Sequence, residues 1–582
     1  MCGIVGIVGS TPEPEIIERM TRRLTHRGPD HQEVWRASRA HLGHTRLAIL
    51  DLSTAGNQPM TYGDYTITYN GEIYNFRELR RRLEGPLHSA GDTEVLLHLY
   101  ARDGARCLDQ LQGMFSFAVW DSRRQRLFAA RDRLGIKPFF YRQFPGGLAF
   151  SSEIKALLEL GQPPIDQTAL RDYLTYKYIP EPKTVYSGIR RLPPGHNLAW
   201  DGSLRIQRYW SPSTETVITD FSEAVPRLDD LLREVVPEHT ISDVPVAVFL
   251  SGGIDSTTVV AQLDRPTTVT LAIDIKRRDE APVARLIANH FGTLHHEEQA
   301  SAVDLNEALD IMPGVFDEPF GDSGAWATYL VSRLARRYAV VALTGEGGDE
   351  LFCGYHWYSK WLTDRSTFVN RAMASLLPPL SRGARSAQRR TATGLERYAA
   401  FAGPFTSQQR NALLGPALEV ADYDDLWHYR RFWREDLEPL KRMQWADLHT
   451  YLPGDLLTKV DLSSMAHSLE VRPPLLDHRL VEFALSLDTR LLRDVEGNRG
   501  KLIVRRLMDD RIPPGIFDRP KRGFNLPVAD WVRHQPELLT SALDRLAERE
   551  IIRRPRTFSF TNEQTWTLLF LDRWLEQSNA RF

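Results

Sequence analysis

The sequence predicts an α+β layered domain over residues 1–210, followed by an α/β domain on a parallel sheet over residues 211–582 that carries a helical insertion at about 355–447. Three observations predict this. The first 150 residues are short β-rich runs with turn punctuation, residues 178–212 are rich in proline, and beyond them apolar strands alternate with helical periodicity.

Residues 4–8, 65–69, 115–120, 126–131 and 148–151 are bounded by Gly, Asp, Pro or Ser and read as strands. Helical patterns at 15–24 and 92–103 interrupt them, the second with Val95, Leu96, Leu99 and Tyr100 on one face. Such a mixture predicts packed layers rather than a βαβ array. Pro180, Pro182, Pro193, Pro194 and Pro212 put the boundary near 205–215. Past it, Ala224, Leu228, Leu231, Leu232, Val235 and Val236 recur at helical spacing. Strands are then expected at 244–250, 269–275 and 339–344, separated by helices starting near Ser256 and at 281–291 and 329–338. Alternation of this kind predicts a parallel sheet covered on both faces. The arginine-rich stretch 355–447 is helical without a motif, and Trp566, Leu569, Phe570, Leu571 and Trp574 form an apolar helical face expected to pack on the second domain.

Composition narrows the function. The 582 residues carry 73 Lys+Arg against 75 Asp+Glu, a net charge of -2. That balance offers no general attraction to nucleic acid or anionic lipid, so neither is expected as a partner. Three cysteines, Cys2, Cys107 and Cys353, are too few for a disulfide framework and predict a cytoplasmic location. No run approaches the roughly 18 apolar residues of a membrane span, and the apolar N-terminus lacks the basic flank of a signal peptide. Small molecules are the expected partners, with a homodimer left open.

Phe249-Leu250-Ser251-Gly252-Gly253-Ile254-Asp255-Ser256 stands between a buried strand and a helix. Adjacent glycines let backbone N–H groups approach a phosphate, Ser251 and Ser256 add hydroxyls, and the helix start adds partial positive charge. GxxxxGK[ST] is absent, so this is not a Walker A loop. It resembles the pyrophosphate loop of ATP pyrophosphatases, which cut ATP between its α and β phosphates. Thr344-Gly345-Glu346-Gly347-Gly348-Asp349-Glu350 ends another strand. Ligands bind beyond the carboxyl ends of parallel strands, so both loops are expected to face one crevice. Asp255 and Asp349 there suit Mg²⁺ on pyrophosphate oxygens. Lys459, Arg472 and Lys501 are candidate counter-charges for pyrophosphate.

Cys2 precedes Gly3-Ile4-Val5-Gly6, and initiator methionine is commonly removed before so small a residue. The exposed α-amine, with a pKa of about 7.7–8.0, can take the thiol proton, so the nucleophile carries its own base. Arg46 in Arg46-Leu47-Ala48-Ile49-Leu50-Asp51 suits an amino-acid carboxylate and Asp92 an α-ammonium. Asn70 side-chain and Gly71 backbone N–H groups make a two-donor oxyanion hole. These are the parts needed to hold glutamine and cleave its amide. Cys107 and Cys353 lack such surroundings and read as packing residues.

The order of these motifs resembles the glutamine-hydrolysing asparagine synthetase family, a class II amidotransferase fused to an ATP-pyrophosphatase-type synthetase. The resemblance also runs through His26-Arg27-Gly28-Pro29-Asp30, Arg131-Asp132-Arg133-Leu134-Gly135 and Leu469-Glu470-Val471-Arg472-Pro473-Pro474-Leu475-Leu476-Asp477. It implies an Ntn-type glutaminase sandwich and an adenine nucleotide α-hydrolase-like synthetase domain. It further implies glutamine hydrolysis at Cys2, ammonia passing through an internal tunnel, and attack on β-aspartyl-AMP to give asparagine, AMP, pyrophosphate and glutamate. By the resemblance, glutamine is held by Arg46, Leu47, Ala48, Ile49, Leu50, Asn70, Gly71, Glu72 and Asp92. ATP touches Leu250, Ile273, Thr344 and Gly345, and Glu346 is the acid tied to adenylate formation.

Departures fall on the acceptor side. Cys353 stands where the family usually has glycine, and Trp326, in the segment 318–326 that the family places near the acceptor, replaces a small or aliphatic residue. Aspartate is the leading acceptor, and another carboxylate, a secondary metabolite or a cell-envelope component, stays open beside it. Relatives that close β-lactams or lasso peptides generally dispense with a working glutaminase, so the intact set here argues against them. The complete loops 251–256 and 345–350 argue against a plain glutaminase or scaffold. Balanced charge and the fused glutaminase argue against a tRNA-modifying enzyme.

Overall fold

The computed structural model describes residues 2–10, 13–273, 280–300, 305–363, 366–517 and 528–578. Among these residues the N-terminal part holds two six-stranded antiparallel sheets. The first runs Ile189–Arg191, Phe140–Phe144, Gly147–Ser151, Gly3–Gly9, Ala40–Arg46, His31–Ala37. The second runs Leu204–Arg208, His196–Trp200, Arg126–Arg131, Gly113–Asp121, Tyr65–Ile73, Met60–Tyr62.

Strand alternation builds the layers. Ile4 and Val8 face Ala118, Trp120 and Leu127 of the opposite sheet, while Val5 and Ile7 turn to Ile17, Met20 and Leu24 beside the helix Pro14–Arg22. Across the second sheet, Ile67, Phe115, Phe117 and Phe128 pack on Val95, Leu96 and Leu99 of the helix Asp92–Asp103. The result is helix, sheet, sheet, helix, with Cys2 at the head of an inner strand.

The second part has a five-stranded sheet in the order Leu294–Ala300, Thr267–Ile273, Val246–Phe249, Val341–Leu343, Glu470–Arg472, paired in parallel throughout. The chain moves outward from Val246–Phe249 through two strands, then returns to add two on the other side. The order therefore reverses between Val246–Phe249 and Val341–Leu343, where the loops after both strands bound a crevice. The expected strand 269–275 is Thr267–Ile273, with residues 274 and 275 outside the described ones. The helix expected at 329–338 is Gly324–Ala335.

Seven helices from His356–Thr363 to Pro439–His449 fill the 355–447 region among the described residues. The tail helix Asn562–Gln577 opens with a capping box from Thr561 and Gln564, and buries Trp566, Leu569, Phe570, Leu571 and Trp574. It packs on Leu305–Phe316 of the second part, and Thr567 O accepts from Tyr173 OH at 2.9 Å.

Candidate active sites and the contact between them

The Cys2 backbone nitrogen donates to Asn70 Oδ1 at 3.0 Å. Asn70 is fully buried, and its Nδ2 has no hydrogen-bond partner. Since buried donors are normally satisfied, this one is left open to a further acceptor. Gly71 follows on the strand Tyr65–Ile73 opposite Phe115, so close that a Cβ would stand 2.1 Å from Met114 O. Burial pushes the Cys2 thiol up, while a hydrogen bond from the Leu47 backbone and the Arg46 charge pull the other way. A thiol so placed needs a base.

Arg46 does more than the sequence foresaw. Its Nη1 donates to Ser53 O and Asn57 Oδ1, both at 2.7 Å, and its Nη2 to Leu50 O at 3.3 Å, which ties down the loop 50–57. Leu47 and Ile49 bury their side chains against Val341 of the parallel sheet, so they can offer only backbone to a ligand. The Ala48 N–H donates to Asp30 Oδ2 at 2.8 Å. Asp92 starts its helix and accepts from Tyr69 OH at 2.7 Å and Ile73 N at 2.9 Å. Burial pushes its carboxyl up to about 6. Glu72 is also buried, and burial raises it well above the usual carboxylate range.

In the second crevice Gly252 has φ +75°, a left-handed turn that glycine allows without a Cβ penalty. Ser251 and Ser256 hydroxyls lie 3.2 Å apart, and Gly253 N donates to Ser251 Oγ at 3.3 Å. The two loops meet, as expected. A Cβ on Gly345 would come within 2.6 Å of Ser256 N, and one on Gly348 within 2.4 Å of Asp255 Oδ1. Leu250 and Thr344 are buried at the two strand ends, and Ile273 closes the neighbouring strand. Lys501 bridges both predicted metal ligands, reaching Asp255 Oδ2 and, at 2.8 Å, Asp349 Oδ1. Asp255 Oδ1 is buried without a hydrogen-bond partner, an acceptor that suits a hard cation. Among the described residues no three His, Cys, Asp or Glu side chains could hold a metal together. A cation here would take its other ligands from phosphate and water.

Lys459 donates to Asp322 Oδ2 at 3.2 Å. Although burial opposes it, Lys459 and Lys177 hold the Asp322 carboxyl well below its usual range. Lys177, at the end of the helix Gln167–Tyr176, pairs with the fully buried Asp455 at 2.8 Å. Asp455 sits in the π-helical turn Leu452–Leu457. Trp326 is 1% exposed, stacked on Tyr329 with ring centroids 5.2 Å apart, and belongs to the core beside the helix Thr458–Met465.

Arg472 needs correcting. It is fully buried and donates to Glu470 Oε1 at 2.6 Å and to the carbonyls of His239 and Ile241 at 2.8 and 2.7 Å, with Glu72 Oε1 at 3.2 Å. Its charge is spent on the seam between the two halves rather than on pyrophosphate.

That seam also holds residues to which the sequence reading assigned no role. Arg27, fully buried, donates to Cys2 O at 3.1 Å, to Glu153 Oε1 at 2.7 Å and to Asp461 at 2.9 and 3.2 Å. Asp461 lies two residues after Lys459 on the helix Thr458–Met465, so one helix carries a contact to each crevice. Lys137 Nζ, buried, lies 3.6 Å from Asp461. Ile136, Lys137, Val460, Asp461 and Glu346 line a cavity of about 10 Å³, at the lower limit of space for one water-sized molecule. The only sequence signal was the motif His26-Arg27-Gly28-Pro29-Asp30, which gives no hint of its partner more than 400 residues away.

Residues 1–210 match the glutamine amidotransferase domain family, and residues 227–577 match asparagine synthase. The chain belongs to the asparagine synthase family. It is 31% identical over 564 residues to glutamine-hydrolyzing asparagine synthetase 1 of Bacillus subtilis, covering 92% of this chain and 88% of that one. It is 34% identical over 583 residues to a putative glutamine-hydrolyzing asparagine synthetase of Mycobacterium bovis, with the same coverage. Asparagine synthetase 3 of B. subtilis is 33% identical over 596 residues, 94% of this chain and 92% of its own length. As an asparagine synthase family member, the chain thus joins an antiparallel amidotransferase sandwich to a parallel-sheet synthetase domain.

Proposed function

We propose that this protein makes L-asparagine from L-aspartate in the cytoplasm, consuming ATP and taking ammonia from L-glutamine. The observation that carries the reading is the unpartnered Asn70 Nδ2 beside Cys2, joined through the seam to a second crevice bounded by the Ser251–Ser256 and Gly345–Glu350 loops. With Met1 removed, the Cys2 α-amine takes the thiol proton and Sγ attacks the glutamine amide carbon. Asn70 Nδ2 and Gly71 N–H stabilise the oxyanion. Collapse expels ammonia, and water then hydrolyses the thioester to glutamate.

In the second crevice the aspartate β-carboxylate attacks the α-phosphate of ATP, forming β-aspartyl-AMP and releasing pyrophosphate. Ser251, Gly252, Gly253 and Ser256 cradle the phosphates, and Lys501 takes up pyrophosphate charge. Asp255 and Asp349 would hold Mg²⁺, which supplies charge neutralisation on the phosphate oxygens. Ammonia crossing the cavity beside Lys137 and Asp461 meets the adenylate near Glu346, and its attack gives asparagine and AMP.

A panel of carboxylates scored by pyrophosphate release tests the reading. Aspartate is expected to give the strongest signal. Release with another acid and none with aspartate would overturn the acceptor assignment.

A further inference from the structure

The near-neutral chain hides one strongly biased segment. Between residues 365 and 395 there are six arginines and no acidic residue. Two capped helices lie here, Phe368–Leu376 started by Thr367 and Arg382–Thr391 started by Ser381, each cap accepting from the backbone N–H three residues on. The second is anchored inward, with Ala384, Arg385, Ala387 and Gln388 buried. The first is turned inside out. Phe368, Val369, Met373 and Leu376 fall on one face at helical spacing, and they are 83, 62, 39 and 82% exposed. Asn370, on the opposite face, is buried. A soluble helix normally does the reverse.

Cations flank this helix in the chain. Arg371 is on the same helix, Arg382 opens the next, which packs on it and where Arg382 Nη2 also donates to Phe560 O at 3.1 Å, and Lys360 lies on the preceding helix His356–Thr363; all three are exposed and without an ion pair among the described residues.

We propose that this helical pair docks the enzyme on an anionic lipid bilayer, lying in the interface with Phe368, Val369, Met373 and Leu376 among the acyl chains and the cations at the headgroups. An apolar helical face bordered by Arg and Lys has the chemistry of an interfacial anchor. Among the described residues no helix is long and apolar enough to cross a membrane, so the contact is peripheral. A second copy joined by the same patch would set arginines against arginines across the two-fold axis. A nucleic acid would satisfy the cations but leave the aliphatic side chains unburied.

Flotation of the full chain with phosphatidylcholine vesicles, with and without roughly one-third phosphatidylglycerol, tests this. Binding is expected with the anionic vesicles alone, weakening as salt is raised. Phe368→Ser/Leu376→Ser and Arg371→Glu/Arg382→Glu are each expected to lower it about tenfold while glutamine-dependent synthesis persists, which shows that the variants fold. Absence of binding to anionic vesicles, or equal binding to neutral ones, overturns the proposal. So does a dimer that Phe368→Ser/Leu376→Ser dissociates without any vesicle binding, which would make the patch a self-interface, or duplex DNA binding in place of vesicles.

Discussion

Beside Cys2 in the N-terminal pocket the unpartnered group is a neutral donor, whereas in the C-terminal crevice the lysines are already paired with carboxylates. Asn70 Nδ2 stands buried and unpartnered next to Cys2, a state that costs about 1–3 kcal/mol and that, on the proposed mechanism, is relieved when an oxyanion forms. Lys501 instead lies between Asp255 and Asp349, and Lys459 on Asp322. The first arrangement is preorganised and needs no rearrangement at the moment of reaction. The second stays stable while empty, because a buried unpaired charge costs several kcal/mol, and on the proposed reading it exchanges partners when ATP enters. A small acyl-transfer site can be built from dipoles. A site for a polyanion must hold its countercharge in reserve.

The sharpest way to break the comparison is to remove the proposed nucleophile. Cys2→Ala is expected to abolish glutamine-dependent synthesis and leave ammonia-dependent synthesis near its original rate, measured as asparagine formed from each donor. Loss of both would mean that the two crevices are not separate reaction centres. Lys501→Ala is expected to do the converse, lowering pyrophosphate release about 10³-fold with basal glutaminase retained. Unchanged release would make its pairing with Asp255 and Asp349 structural only.

Asn70→Ala removes one proposed oxyanion donor, and glutaminase kcat is expected to fall about 10²–10³-fold, with a smaller change in KM. A rise in KM at constant kcat would assign Asn70 to ground-state binding. Asp461→Asn acts on the seam and is milder. It leaves Arg27 with Glu153 and Cys2 O but weakens its tie to the synthetase helix. About a tenfold loss in asparagine formed per glutamine hydrolysed is expected, a magnitude typical of coupling between sites, with each half-reaction kept within severalfold. An unchanged ratio would confine Arg27 to holding the fold.

Much of this was legible in the residues. The helix Asp92–Asp103 and the strand Arg126–Arg131 have the predicted ends, because an apolar stripe and turn residues bound them locally. The sheet strand Leu294–Ala300, sequence LHHEEQA, was not foreseen. It is an edge strand, with too little apolar face to read as buried. Glu470–Arg472 is only three residues long, too short for any periodicity. Arg472 was misassigned for the same reason. A sequence motif marks a residue as special but does not say which way its side chain leaves the strand, and here it points to Glu470 and Glu72. The bonds of Arg27 to Asp461 and of Lys177 to Asp455 likewise join segments hundreds of residues apart, which no local pattern encodes.

The last effect is on stability rather than on rate, and concerns a carboxyl that burial pushes towards its neutral form. Burial, with Asp349 beside it, pushes the Glu350 carboxyl up to about 8, and Tyr355 OH donates to it. Unfolded, a Glu titrates near 4.3. Between about pH 4.3 and 8 the folded chain therefore holds the proton more tightly than the unfolded one, so this group's contribution to stability falls as pH rises through that window. Glu350→Gln keeps the shape and removes the titration. The thermal midpoint of the native chain relative to Glu350→Gln is expected to decline steadily from pH 5 to pH 8. A difference that stays flat, or grows with pH, would mean that Glu350 is ionised in the crevice and belongs with Asp255 and Asp349 among the charges held in reserve.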